Sequence, residues 1–115
     1  MTNNIDLSYM ELMTDGDVEM KKVMIEMLLD EPEGELIKMV ALADGEDLAT
    51  LKSISHKMKS TLSFVGNKEM TTKNAKIELI LDGGGDIAEL AELTARLVEI
   101  FQYVKKELQQ VLETL

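Results

Sequence analysis

The sequence predicts an all-α fold: an antiparallel up-down four-helix bundle preceded by one or two short helices. The chain is rich in helix-forming residues, with nine Met, one Pro and no Trp, and residue types that favour strands are few. Apolar residues recur at helical spacing between clusters of turn-forming residues. At 115 residues the chain is long enough for one domain, expected over residues 1–115, and too short for two.

The turn-forming clusters divide the chain into six helical segments, about residues 5–13, 16–31, 33–43, 46–65, 68–82 and 86–113. The last segment is the clearest, because its apolar residues alternate spacings of three and four from Ile87 to Leu115, broken only by Thr94. Such a stripe needs partner helices to be buried, which short loops supply in a bundle. A two-stranded coiled coil is the alternative, and the other amphipathic segments make it the weaker one.

The second and third segments are predicted to turn one apolar side to the core. Those sides comprise Met20, Val23, Met24, Met27 and Leu28 in the second segment and Leu36, Val40 and Ala43 in the third. A methionine-rich surface for a partner is the alternative, since methionine adapts to varied shapes. The regular spacing favours the core.

Composition excludes several classes of function. The net charge of −10 would repel nucleic acid and anionic membranes. The absence of cysteine removes disulfides, thiol catalysis and cysteine-based zinc sites. Residues 1–6 lack the basic and apolar regions of a signal peptide, and no apolar run approaches the roughly 20 residues that span a bilayer. We therefore expect a cytoplasmic protein.

The fourth segment carries the only histidine of the chain, His56. The apolar positions of this segment cluster in one arc, and His56 falls about 150° from its centre at about 100° per residue. His56 should therefore face solvent. An exposed imidazole is mostly neutral at about pH 7 to 8, and its neutral nitrogen is a good nucleophile towards phosphorus.

Small hydroxyl side chains and two lysines surround this histidine on the helix surface: Lys52, Ser53, Lys59, Ser60 and Ser63. Small neighbours let another protein's backbone approach, and the lysines place positive charge where a transferred phosphoryl group would lie. A lone exposed histidine or lysine is unspecific, so the hypothesis depends on the combination.

This stretch resembles the motif of the histidine-containing phosphotransfer (HPt) family, written His-x-Leu-Lys-Gly-Ser with a glycine ten residues after the histidine. The matching residues are His56, Met58 for the Leu, Lys59, Ser60 for the Gly, Thr61 for the Ser, and Gly66. Further matches are Glu46-Asp47 for the Gly-Asp before the helix, Glu78 for a later glutamate, and Gly85-Asp86. Ser60 and Glu46 depart from the family pattern.

The resemblance implies a helical bundle in which His56 accepts and donates a phosphoryl group and Lys59 helps to hold its charge. Lys52, Ser53, Ser60 and Ser63 would face the docked partner, and Gly66 would shape the helix end. The implied partners are response-regulator receiver domains and a hybrid histidine kinase. The receiver domain would bring the acceptor aspartate and its Mg²⁺, so no cofactor of the chain's own is expected. We expect a monomeric phosphocarrier and not an enzyme.

Three alternatives remain. In the dimerisation half of a histidine kinase an acidic residue should follow the histidine and a proline should kink the helix, but here Lys57 follows and no proline does. A nucleotide site at the glycine-rich loop 82–86 would need a preceding strand. A helical interaction module without chemistry, in which His56 is incidental, would have the same fold. A metal site or acyl-transfer catalysis at His56 has no supporting residues.

Overall fold

The computed structural model describes residues 4–115, which are helical over most of their length. Residues 1–3, part of the predicted domain and of the segment tested for a signal peptide, lie outside the described residues. The α-helices are α1 (Ser8–Thr14), α2 (Val18–Asp30), α3 (Pro32–Leu42), α4 (Leu48–Val65), α5 (Lys68–Leu79) and α6 (Leu90–Thr114). The all-α prediction is confirmed, with helix boundaries within a few residues of those expected.

Four helices form the bundle around one core. Helix α3 packs on α4, α4 on α5, and α5 on α6. Because α3 also packs on α6, the four helices close a ring. The shorter α1 contacts α2 and α4, and α2 packs on α3 and α6. The largest fully buried side chain of the described residues is Phe101 of α6. Among residues 4–115, no helix combines the length and apolarity needed to cross a membrane.

The apolar stripe of the last segment is largely buried, as predicted. Its polar member, Thr94, is buried and donates a hydrogen bond of 2.8 Å to the carbonyl of Leu90, which satisfies the hydroxyl within its own helix. Ile87 is the exception and is exposed. It lies in a 3₁₀ turn, Ile87–Glu89, that precedes α6, so it does not follow the α-helical spacing of the rest of the stripe.

The predicted core side of α2 is partly wrong. Leu28 is buried, but Met20, Val23 and Met27 are each about half exposed, and Ile25 is buried instead. Helix α2 has apolar residues on more of its circumference than its contacts with α1, α3 and α6 can cover.

The same error occurs once in α3. Leu36 and Ala43 are buried as predicted, but Val40 is exposed and Met39 takes its place in the core. Both residues border the apolar arc, and the packing of α3 against α4 and α6 decides between them.

Helix α5 ends earlier than predicted. It stops at Leu79 and continues into a π-helical turn, Ile80–Gly84, in which Gly83 has a φ of 90°. A positive φ is readily adopted only by glycine. The turn carries Asp82 towards the side of α4 on which His56 lies.

Candidate functional site

Helix α4 presents His56 to solvent. The Asp47 side chain caps the helix start by accepting a hydrogen bond from the Thr50 backbone amide at 3.1 Å. Leu51 and Met58 are buried on the core side of α4, and the opposite side of the helix faces solvent. The His56 side chain is 75% exposed. The five neighbours predicted from the sequence are exposed on the same side: Lys52, Ser53, Lys59, Ser60 and Ser63.

Glu78 of α5 lies against the histidine. Its Oε1 accepts a hydrogen bond from Lys59 Nζ at 2.8 Å, and its Oε2 lies 3.7 Å from His56 Nδ1. The latter distance exceeds a hydrogen bond and corresponds to an ion pair when the imidazole is protonated. Glu78 therefore faces one ring nitrogen, which leaves Nε2 as the nitrogen directed away from the carboxylate.

The second lysine also has a carboxylate partner. Lys52 forms an ion pair with Asp82 of the π-helical turn. The hydrogen bond from Lys52 to Asp82 raises the pKa of the Lys52 ammonium, so that the lysine stays charged. The two cations beside His56 are thus both paired with acidic side chains that follow one another by four residues in the chain.

A buried polar pair fixes α5 against α4 directly beneath the histidine. Ser55 Oγ donates to Asn74 Oδ1 at 2.8 Å, and Asn74 Nδ2 donates to the Ser55 carbonyl at 2.9 Å. Both residues are buried, so this geometry satisfies polar groups that water cannot reach. Glu78 follows Asn74 by one helical turn, and the pair therefore sets the height at which Glu78 meets His56.

Gly66 ends α4 as predicted and has a second role. Its φ of 72° is the left-handed conformation of a helix C-cap. A Cβ atom at this position would lie 2.0 Å from the carbonyl oxygen of Asp6. The Asp6 amide in turn donates to the Val65 carbonyl at 3.0 Å. Gly66 thus allows the N-terminal segment to reach the end of α4.

An apolar groove adjoins the exposed side of α4. It has a volume of about 400 Å³ and runs between the α2–α3 junction and α4, where its lining includes Met24, Met27, Ser60 and Phe64. Because Ser60 also lies one turn after His56, the groove and the histidine belong to one continuous surface. Within the described residues, no three His, Cys, Asp or Glu side chains are arranged to hold a metal ion.

Comparison with known protein families decides the classification. The sequence profile of the family described as "Hpt domain" matches residues 23–114, which is most of the chain. The chain belongs to the Hpt domain family. Hpt domains are phosphocarriers that transfer phosphoryl groups in two-component signal transduction and interact with receiver domains and histidine kinases. No curated protein and no solved structure gives a significant match.

Sequence reasoning finds the exposed face of this Hpt domain but misses the partners behind it. In the sequence Glu78 is only a match to the family pattern, and nothing there predicts its contact with His56. Ser55 and Asn74 are also missed. The sequence does contain a signal for this buried pair, because each residue is polar but occupies a core position of its helix. Ser55 lies four residues after Leu51, and Asn74 lies four residues after Met70.

The ionised form of Glu78 is expected to stabilise the Hpt domain. The hydrogen bond from Lys59 holds the pKa of Glu78 below its ordinary value of 4.5. A lowered pKa in the folded state means that the stabilisation is present above about pH 4.5 and is lost as the pH falls through the lower, folded-state pKa. Glu78→Gln should therefore reduce the free energy of unfolding in urea at pH 7, and this deficit should shrink at pH 3.

The control for this pH effect is Glu26→Gln, which changes an exposed glutamate of α2. It should match the wild type at both pH values. A Glu78→Gln deficit of the same size at pH 7 and pH 3 would show that the carboxylate charge is not the source of the stabilisation.

Proposed function

We propose that this Hpt domain shuttles a phosphoryl group between receiver-domain aspartates in a multistep phosphorelay, with His56 as the carrier. The observation that carries the proposal is the exposed imidazole of His56, flanked by Lys52 and Lys59, with Nδ1 facing Glu78. The upstream partner is a hybrid histidine kinase and the downstream partner a response regulator. The whole chain acts as one cytoplasmic, monomeric domain.

The chemistry follows from the orientation of the ring. A neutral imidazole with its proton on Nδ1 has its lone pair on Nε2, which attacks the phosphorus of an aspartyl phosphate in line with the leaving carboxylate oxygen. The N–P bond forms as the P–O bond breaks, and the aspartate returns to its carboxylate form. Positive charge grows on the ring during attack, and Glu78 Oε2 lies 3.7 Å from Nδ1 to stabilise it.

The groove beside Ser60 supports docking of a folded partner. A receiver domain must bring its aspartate to His56, so the surface around the histidine has to fit a protein and not a small molecule. The apolar groove adjoins this site, and α2, which supplies Met24 and Met27 to the groove, also exposes Met20 and Val23. Mg²⁺ comes with the receiver domain, and we propose no cofactor for the Hpt domain itself.

The test is transfer from a phosphorylated receiver domain with a radiolabelled phosphoryl group. We expect label on the Hpt domain that is labile in acid and stable in base, as N-linked phosphate is, and that returns to a second receiver. Because His56 is the only histidine, loss of this label in a His56→Gln variant identifies the acceptor. If no receiver of the same genome transfers label, the relay role is wrong and a non-catalytic interaction module explains the fold.

Lys59→Ala is expected to slow transfer about tenfold, since a positive charge one turn from His56 that helps to balance the charge of the incoming phosphoryl group is lost. The measurement is the single-turnover rate of label transfer from a receiver. Lys68→Ala removes an exposed lysine at the start of α5 and should change the rate less than about twofold by general electrostatics. Equal effects of the two substitutions would exclude a specific role for Lys59.

A further inference from the structure

The lysines beside His56 are already engaged before any phosphoryl group arrives. Lys52 precedes the histidine by four residues and Lys59 follows it by three, and each pairs with a carboxylate from the α5 side. The shallow notch at this point is lined by Ala49, Lys52, Ser53, His56, Glu78 and Asp82. A phosphoryl group adds a charge of about −2, so it must draw a cation away from one of these carboxylates.

The Lys59–Glu78 pair is the more costly one to open. The Glu78 side chain is only 16% exposed. Among the described residues, its Oε2 is shielded from solvent and accepts no hydrogen bond. If Lys59 moved away, the poorly hydrated carboxylate of Glu78 would lose its hydrogen bond from this lysine. The carboxylate would then remain without a donor next to the negatively charged phosphoryl group. Such a group is expensive to leave without a donor.

The Lys52–Asp82 pair is the less costly one to open. The two side chains are 50% and 53% exposed, so water can hydrate either charge after separation and the pair contributes little net stability. Asp82 lies in the π-helical turn Ile80–Gly84 and is followed by three glycines.

We propose that Asp82 is a positioning residue that acts through Lys52 and shortens the lifetime of phosphorylated His56. Asp82 holds the ammonium beside the unmodified histidine and then competes with the phosphoryl group for it. The phosphoryl group on His56 is therefore stabilised less than it would be if both neighbouring lysines were free to pair with it. As a result, it leaves His56 more readily. The inference rests on the proposed function in placing the phosphoryl group on His56.

The lifetime can be measured without any receiver domain. Phosphoramidate donates its phosphoryl group to an exposed imidazole: the N–P bond of the reagent breaks, ammonia leaves, and a bond from His56 Nε2 to phosphorus forms. In the decay that follows, water attacks phosphorus, inorganic phosphate leaves, and the imidazole regains a proton. The half-life of this decay reports how well the site stabilises the phosphoryl group.

The variant that tests the proposal is Asp82→Asn, with Asp86→Asn as the matched control. Both remove one negative charge from the same loop. Asp86 now accepts a hydrogen bond from the Ala88 amide at the start of the 3₁₀ turn, and an asparagine side chain can still cap that turn. We expect Asp82→Asn to lengthen the half-life of phosphorylated His56 about fivefold, from release of one nearby cation. Asp86→Asn should change it less than about 1.5-fold, the effect of removing an exposed charge that salt screens.

A Lys52→Gln background separates the proposed route from direct repulsion between Asp82 and the phosphoryl group. If Asp82 acts through Lys52, Asp82→Asn should have no more effect than Asp86→Asn once Lys52 is absent. An undiminished effect in that background overturns the proposal, as do equal half-lives of the two single variants or a shorter half-life for Asp82→Asn.

The relay function of His56 and the positioning role of Asp82 are distinguished by different experimental results. Loading by phosphoramidate with the expected half-lives, but no label from any receiver, rejects the relay and leaves the role of Asp82 intact. Transfer from receivers with no difference between Asp82→Asn and Asp86→Asn rejects the role of Asp82 and leaves the relay intact. Failure of phosphoramidate to load the wild type at all overturns both, because His56 would then not be an accessible nucleophile.

Discussion

His56→Gln is expected to abolish acid-labile phosphorylation of the Hpt domain completely. Glutamine has a similar length and can form hydrogen bonds, but its amide nitrogen has no available lone pair to attack phosphorus. No other imidazole can replace it, because His56 is the only histidine. The measurement is radiolabel transferred from a phosphorylated receiver domain, followed before and after acid treatment.

The same substitution should leave the fold unchanged. The side chain of His56 is 75% exposed, and exposed substitutions of this kind usually change stability by less than about 0.5 kcal/mol. Helical content and the urea midpoint should therefore match the wild type. Lys68→Gln places the same new residue at an exposed position of α5 and should retain full labelling. Residual acid-labile label on His56→Gln would mean that the phosphoryl group is carried elsewhere.

Gly66→Ala is expected to cause the largest loss of stability among single-methyl additions to this chain. The left-handed conformation costs a non-glycine residue about 1–2 kcal/mol. The new Cβ would also lie 2.0 Å from the Asp6 carbonyl oxygen, so the N-terminal segment would have to move and the hydrogen bond from Asp6 to Val65 would break. We expect a total loss of about 2–4 kcal/mol in the free energy of unfolding.

Gly16→Ala is a matched control that measures only the loss of stability due to the left-handed backbone conformation. Gly16 has a φ of 76°, close to the 72° of Gly66, but no atom lies within 4 Å of the Cβ position. It should lose only the roughly 1–2 kcal/mol of the left-handed conformation. Urea unfolding of the two variants measures the difference. Equal losses would show that the close approach of Asp6 contributes nothing to stability.

The solvent-facing half of the site could be predicted because helical geometry alone determines it. Once the apolar arc of α4 is read from positions such as Leu51 and Met58, His56 must lie opposite, and so must its neighbours one turn away. Gly66 could likewise be predicted, since a glycine after an amphipathic run commonly ends a helix. These features depend on residues close together in sequence.

The other half of the site depends on contacts between helices, which periodicity does not give. Glu78 meets His56 only because α5 has a particular height and rotation against α4, and the Ser55–Asn74 pair helps to set both. The π-helical turn that carries Asp82 begins at Ile80, where the sequence pattern is still compatible with a regular helix up to residue 82. The exposed side of α2 is predicted wrongly for a related reason: Met20 and Met27 are apolar, and only packing shows that Ile25 is buried instead.

The two hydrogen bonds between Ser55 and Asn74 join α4 to α5 in the core, away from the exposed face that carries His56. Since these buried groups hold α5 against α4 from within the core, exchanging the outward-facing serines should leave the position of Glu78 beside the imidazole unchanged. Exposed residues of α4 that face a partner can therefore be substituted without redesigning the core. Swapping Ser53, Ser60 or Ser63 should redirect the choice of receiver without a new core.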